Sequence, residues 1–258
     1  VPLPGGAQEQ EKILSITATS DVAETIESTK EAFMNKDLEL AWERVIAVVV
    51  QPGVEYGDAT LFEYDRTQAT DLAGFIEGYD SLIYEAHSTD YQTAVALRQM
   101  VEDHFAILKV GPALTFALRE GIYALEAIEE ELMAGRRGCE PSRVRQHLDE
   151  AMLANPVYWQ KYYRGDAQAM HLARKYSFSD RSRYYWPVPE VQLAFSRLLQ
   201  NLGGRPLPLT LLSQYFPVQY GRIRGGEISN EPRAILLDKV RRVLSDYSYA
   251  CGYTTSLA

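Results

Sequence analysis

Cysteine is scarce. Two occur in 258 residues, Cys139 and Cys251, far apart and in no CxxC spacing. That excludes a disulfide framework and, with no signal-peptide pattern, makes a reducing cytoplasm the expected compartment. Histidine is almost as sparse, with four residues. His104, His147 and His171 fall in or beside helical stretches without ligand spacing, and only His87 stands at a strand end. A catalytic zinc usually takes three protein ligands, so this chain alone offers no convincing zinc set. No GxxxxGK[ST] motif is present, which removes sequence support for P-loop phosphoryl transfer. No GxSxG nucleophile elbow appears either. The longest apolar run, Val45 to Val50, is far too short to span a bilayer. Positive charge is in deficit, with 26 Lys and Arg against 35 Asp and Glu, a net −9. This disfavours broad attraction to nucleic acid or anionic membrane, while leaving room for a small basic pocket that holds a phosphate. An initiator methionine is also missing. Val1-Pro2-Leu3-Pro4-Gly5-Gly6 reads like a strand end running into a tight loop, and the expectation is that the chain is the later part of a longer one.

What is present suits a globular α/β protein, since 46% hydrophobic and 24% charged residues support a core. Apolar spacing predicts a helix over about 21–35 and another turn or two near 38–42. Arg44-Val45-Ile46-Ala47-Val48-Val49-Val50 is apolar on both faces, as in a parallel strand covered on both sides. Gln51-Pro52-Gly53 ends it. A loop over 54–66 leads to a helix at 68–79. A second strand is expected at 82–87, a helix at 92–103, a third strand at 105–110 and a long helix at 114–133. Alternation of this kind predicts right-handed βαβ units in a parallel sheet. No strand is expected after Met133. Helices are predicted instead at 141–154, 156–163, 166–176, 188–202, 208–224 and 232–250. Gly135-Arg136-Arg137-Gly138 is the expected boundary between domains 1–134 and 135–258.

Chemistry concentrates at Ser81–Thr93. Here an apolar run leaves the core and stops in polar groups. Glu85 and His87 are two residues apart, so on a strand they share a face. Thr89 or Asp90 is placed to cap the next helix, leaving free N–H groups near Ser88. Gly111 precedes the 114–133 helix, a place able to hold an anion, and Lys109 would add charge. The alternative for Lys109 is an ion pair with Glu85 on the neighbouring strand. Glu85 and His87 are thus the catalytic candidates, His87 the weak metal candidate, and Ser88, Lys109 and Gly111 the candidates for phosphate. Their structural alternative is a hydrogen-bonded rim. A second cluster joins Tyr158, Trp159, Tyr162 and Tyr163 to Asp180-Arg181-Ser182-Arg183-Tyr184-Tyr185-Trp186-Pro187. It reads either as a protein–protein hot spot or as a staple for the helical tail.

The runs RVIAVVVQPGVEY (44–56), YEAHSTDYQTAVALRQMVEDHFAILKVGPALTFALRE (84–120), YWQKYYR (158–164) and SDRSRYYWP (179–187) are together similar to one family. They resemble the Z-type (GatZ/KbaZ) subunit of D-tagatose-1,6-bisphosphate aldolase, a family also labelled tagatose-6-phosphate kinase. The resemblance extends from Val1 to about Cys251. It implies a TIM (β/α)8 barrel related to class II aldolases, with the N-terminal strands absent here and a helical C-terminal extension. It also implies a non-catalytic accessory subunit that supports the activity and stability of a separate Y-type catalytic subunit. The setting would be galactitol or N-acetylgalactosamine breakdown. By that resemblance zinc belongs to the partner, and the assembly is an oligomer that handles a sugar phosphate. Class II aldolases place zinc-binding histidines at the ends of the strands that look like 45–50 and 82–87. His87 matches the second position, whereas Gln51-Pro52-Gly53 stands at the first, and an amide does not readily replace an imidazole on zinc. The alternative is an enzyme in its own right, a class II-like aldolase or a tagatose-6-phosphate kinase.

Overall fold

The structure is a computed structural model that describes residues 15–135, 138 and 140–253. The segment 1–6 and Arg136, Arg137 and Cys139 lie outside the described residues, so the expected strand end and half of the boundary stretch do too. The fold is α/β with a parallel sheet, and it is predominantly helical. The chain separates into two compact units, one running to Gly111 and resuming at Ser245, the other spanning Pro112–Leu244. This division differs from the expected one at 134/135. It falls at the Gly111-Pro112 turn, and it returns the end of the chain to the first unit.

The first unit begins with α1 (Thr19–Met34) and the single turn α2 (Glu39–Trp42). β1 (Ala47–Val50) follows, then a ribbon of β2 (Glu55–Tyr56) and β3 (Leu61–Phe62). The sequence reading had only a loop there. α3 (Thr70–Ile76), β4 (Ile83–Ala86), α4 (Ala94–Glu102) and β5 (Ile107–Leu108) complete the alternation. The sheet order is β1-β4-β5, all parallel, with Ala47 opposite Ile83 and Glu85 opposite Ile107. β5 is shorter than the expected 105–110, because Phe105 N–H still bonds back to Met100 at the end of α4. Its pairing continues outward through Lys109 N–H to the Ala86 carbonyl.

Burial alternates along the strands. Val48, Val50, Tyr84 and Ala86 are buried, while Ala47, Val49, Ile83 and Glu85 are only half-buried. The strands expected to be covered on both sides are thus fully buried on one face and half-buried on the other. The buried face packs against Val22 and Ile26 of α1, Leu72 and Ile76 of α3, and Leu97 and Met100 of α4. Tyr84 stacks on Phe105 at 5.2 Å and its hydroxyl donates to the Leu72 carbonyl at 2.8 Å. That bond lets a phenol sit in the core without an unpaired polar group.

The second unit is helical, with no strand among its described residues, as expected. α5 (Pro112–Met133) is followed by α6 (Val144–Ala154), a 3-10 turn at Pro156–Tyr158, and α7 (Ala167–Tyr176). A second 3-10 turn, Arg181–Tyr184, precedes α8 (Pro189–Leu202), α9 (Leu209–Tyr215), α10 (Pro217–Arg224) and α11 (Pro232–Ala250), whose last turns belong to the first unit. The helix expected at 156–163 is thus one short turn. The helix expected at 208–224 is two, because Pro217 keeps Phe216 out of the helical region, at φ −139° and ψ 58°, and clashes with any continued turn. Ile122, Leu125 and Ile128 of α5 pack with Leu198 and Leu202 of α8, Leu212 of α9 and Ile235 of α11. A smaller cluster joins Leu148 and Met152 to Trp159, Tyr163, Tyr185 and Val191.

One ion pair ties α5 to the 180–184 turn. Arg119 Nε donates to Asp180 at 2.7 Å, with the two side chains 2% and 0% exposed. Asp180 also accepts from Thr115 at 2.5 Å and Ser182 at 2.9 Å, and Arg119 donates to the Lys175 carbonyl. The Arg119 guanidinium lies 4.2 Å from the Phe116 ring centre. Asp180→Asn keeps the left-handed backbone, at φ 42°, but leaves the arginine charge without its counter-ion. The expected loss is about 3–5 kcal/mol, read as a lower urea midpoint with an unchanged slope.

Candidate functional site at the strand ends

The carboxyl ends of β1, β4 and β5 carry the polar residues expected there. In open α/β sheets and barrels alike, this is the rim where ligands bind. His87 Nε2 lies 2.8 Å from Glu85 Oε1, so the two catalytic candidates do meet, as their spacing implied. Their side chains are 12% and 30% exposed. The Nδ1 atom of His87 is buried and has no hydrogen-bond partner.

The phosphate candidates are placed differently. Ser88 is buried in the left-handed region at φ 58°, and its hydroxyl donates to Glu55 Oε2 at 3.1 Å. Glu55 is itself buried, its other oxygen accepting the Tyr56 N–H at 2.9 Å. The Gly111 N–H, available for an anion in the sequence reading, donates to Asp90 Oδ1 at 2.9 Å. A carboxylate therefore already holds that donor. Lys109 is exposed, and its ammonium makes no ion pair among the described residues. The alternative pairing of Lys109 with Glu85 is not formed, because Glu85 takes His87 instead.

Neither Thr89 nor Asp90 caps α4. The cap is Thr93, whose hydroxyl accepts the Ala96 N–H at 3.1 Å. Thr89 is buried and donates to the Lys109 carbonyl at 2.8 Å, joining the ends of β4 and β5. The Tyr247 phenol stands 2.9 Å from the Thr89 carbonyl and 3.1 Å from its hydroxyl, with one proton to donate between them. Tyr247 comes from the end of α11, and together with Ala250 it packs into the core of the same unit. Glu55 and Tyr247 are rim residues that sequence reasoning missed. Glu55 sat in a stretch read as loop. Tyr247 is 158 residues from its partner, and no local signal announces it.

Gln51 follows the end of β1, where the resemblance implied a ligand. Its amide oxygen accepts the N–H groups of Gly53 and Val54, both at 3.0 Å, and so closes the turn that ends the strand. Among the described residues no group of three or more His, Cys, Asp or Glu could hold a metal. The rim's donors also fit a metal poorly in their own right: His87 faces Glu85, Glu55 is spent on Ser88 and Tyr56, and Gln51 is an amide. Among the described residues no helix is long and apolar enough to cross a membrane.

A polar rim on a parallel sheet backed by helices defines an α/β protein. Over residues 1–252 the sequence matches the model of the D-tagatose-1,6-bisphosphate aldolase subunit GatZ/KbaZ-like family, and the chain belongs to that family. It is also similar to a crystal structure of "a probable tagatose 6 phosphate kinase from Sinorhizobium meliloti 1021", with a TM-score of 0.88 and 42% identity. That match covers 92% of this chain and 61% of the other. The chain thus spans less than two thirds of the length of that relative.

Burial holds the Tyr247 phenol well above its ordinary value, and it does the same to Tyr64 and Tyr84 in this unit, Tyr64 being helped by Asp103. A phenol raised on folding binds its proton more tightly in the folded state. Its contribution is complete below the unfolded value near 10 and is lost as pH rises above it. Stability should therefore fall steadily above about pH 10. In absorbance titration at the tyrosinate band, these rings should ionise only with the cooperative unfolding transition.

Proposed function

We propose that this chain is the part of a non-catalytic accessory subunit of D-tagatose-1,6-bisphosphate aldolase that supports a separate Y-type catalytic subunit. The reaction served is the reversible cleavage of D-tagatose 1,6-bisphosphate to dihydroxyacetone phosphate and glyceraldehyde 3-phosphate. In this reading the partner brings zinc and the acid–base groups, the assembly is a cytoplasmic hetero-oligomer, and the pathway is galactitol or N-acetylgalactosamine breakdown. The observation that carries it is the self-satisfied rim. Glu85 is committed to His87, Glu55 to Ser88, Asp90 to Gly111 and Gln51 to its own turn. A catalytic centre needs donors turned toward substrate, and here most are turned toward each other. Lys109 and the unpartnered Nδ1 of His87 leave room for a retained sugar phosphate, but for little more.

The same reading takes the sheet as part of a (β/α)8 barrel. Two facts favour it. Helices cover the face of Val48, Val50, Tyr84 and Ala86, while the face of Val49, Glu85 and Ile107 is only half-buried. Parallel sheets are normally covered on both faces, and further strands closing a barrel would supply that cover. The related structure is also longer than this chain.

Reconstitution tests the function. The full-length protein is purified alone and with the catalytic subunit, and cleavage of the bisphosphate is assayed. No turnover is expected from this protein alone, and a clear rise in activity and thermal lifetime of the catalytic subunit when it is added. Cleavage by this protein alone, or ATP-dependent phosphorylation of tagatose 6-phosphate, would sink the proposal. His87→Ala provides a sharper check. An essential general acid or base is worth roughly 100- to 10,000-fold, so the complex should keep its kcat within a few-fold if the rim is not catalytic.

A further inference from the structure

The helical unit carries an open groove of about 680 Å³ between the carboxyl end of α6, the turns at 156–158 and 181–184, and the start of α8. Its walls include Tyr158, Tyr184, Pro187 and Pro189, with Glu150 and Glu190 among them. Tyr158 and Tyr184 stack at 4.9 Å and are 44% and 42% exposed. Two large rings left this open on a chain with a full core represent apolar surface that folding has not used. On the same segments Leu153 and Val157 are 53% and 59% exposed.

Charge narrows the occupant. No lysine or arginine lines the groove, and its one basic group, His147, lies 3.6 Å from Glu150. Two carboxylates beside tyrosine faces favour a cation, through Coulomb attraction and through the negative face of each ring. The rings already show that preference. The guanidinium of Arg183 lies 4.5 Å from the centre of Tyr184 and donates to its hydroxyl at 3.0 Å. The groove is open and extended rather than closed around a small molecule, and it is rigid at its base. There the Tyr185 hydroxyl donates to the Asn155 carbonyl at 2.5 Å, and Arg181 donates to the Tyr158 carbonyl at 3.2 Å. Preorganised tyrosines make a hot spot at low entropic cost.

We infer that this groove docks a segment of the catalytic subunit that presents an arginine or lysine flanked by apolar residues. The inference rests on the accessory reading above, and it names the surface through which that reading works. Glu150 and Glu190 attract the cation, Tyr158 and Tyr184 cover its flat or aliphatic part, and Leu153 and Val157 receive the flanking residues.

The experiment measures binding of the purified catalytic subunit to the full-length protein by calorimetry at two salt concentrations. Glu150→Lys with Glu190→Lys should weaken binding by about tenfold or more and remove most of its salt dependence. Tyr158→Ala should weaken it by about tenfold while leaving that salt dependence in place. Glu24→Lys with Glu27→Lys, exposed on α1, makes the same change in net charge and should leave affinity within about twofold. Circular dichroism on each variant confirms that the fold is kept, which is expected because the replaced carboxylates are exposed. If the wild-type protein binds but the groove variants bind equally well, the groove assignment is overturned and the accessory reading stands. An equal loss in the α1 control would also overturn it, since the effect would then be one of net charge. If the wild-type protein does not bind the catalytic subunit at all, both readings fail together.

Discussion

A buried carboxylate must be surrounded by donors, and much of this structure is arranged around that demand. Removing an ionised carboxylate from water costs several kcal/mol unless hydrogen bonds and an opposite charge replace the lost hydration. In the helical unit Asp180 takes three side-chain donors from Arg119, Thr115 and Ser182. Glu129 takes the Ser142 backbone and hydroxyl together with the Asn201 amide. Asp180 joins α5 to the 3-10 turn at 181–184, and Glu129 joins it to the Ser142 loop and to α8. Hydrophobic packing gathers these helices, and the buried charges decide how the intervening turns lie.

The same demand is met at the rim of the sheet. Glu55 and Asp90 are as buried as core residues and are held by Ser88 and by the Gly111 backbone. Tyr247 then ties the β4 end to the last helix. A site organised for turnover leaves donors idle until substrate arrives. Here the idle groups are Lys109 and one nitrogen of His87. In the helical unit the emphasis is reversed. Its buried Asp180 and Glu129 carboxylates are satisfied, yet the stacked Tyr158 and Tyr184 face solvent beside two carboxylates. Unused recognition chemistry therefore lies on the helical unit.

The features legible in the sequence were those with local causes. The β-branched run at 45–50, its Gln-Pro-Gly stop, the helix periods of α3 to α8 and the shared face of Glu85 and His87 all follow from repeats of 2 or 3.6 residues and from proline and glycine. The family was equally legible, since it is carried by runs such as YEAHSTDYQTAVALRQM and SDRSRYYWP. The errors also had local causes. The 54–66 stretch held a two-residue ribbon too short to leave a pattern. Pro217 split a helix read as continuous, and the apolar spacing at 156–163 belonged to Trp159 and Tyr163 packing under a turn.

By itself, then, the sequence determined the parallel βαβ order, the absence of described strands after α5 and the pairing of Glu85 with His87, because each is set within a few residues. Only the tertiary structure decided which donors remained free. Ser88 was matched to Glu55, Gly111 to Asp90 and Thr89 to Tyr247 across separations of 33, 21 and 158 residues. Hydrogen-bond partners at such distances are selected by how packed elements meet, and no periodicity in the chain encodes that meeting. The rim first read as a candidate catalytic site was therefore found in the expected place, with its chemistry largely consumed by neighbours that the sequence could not name.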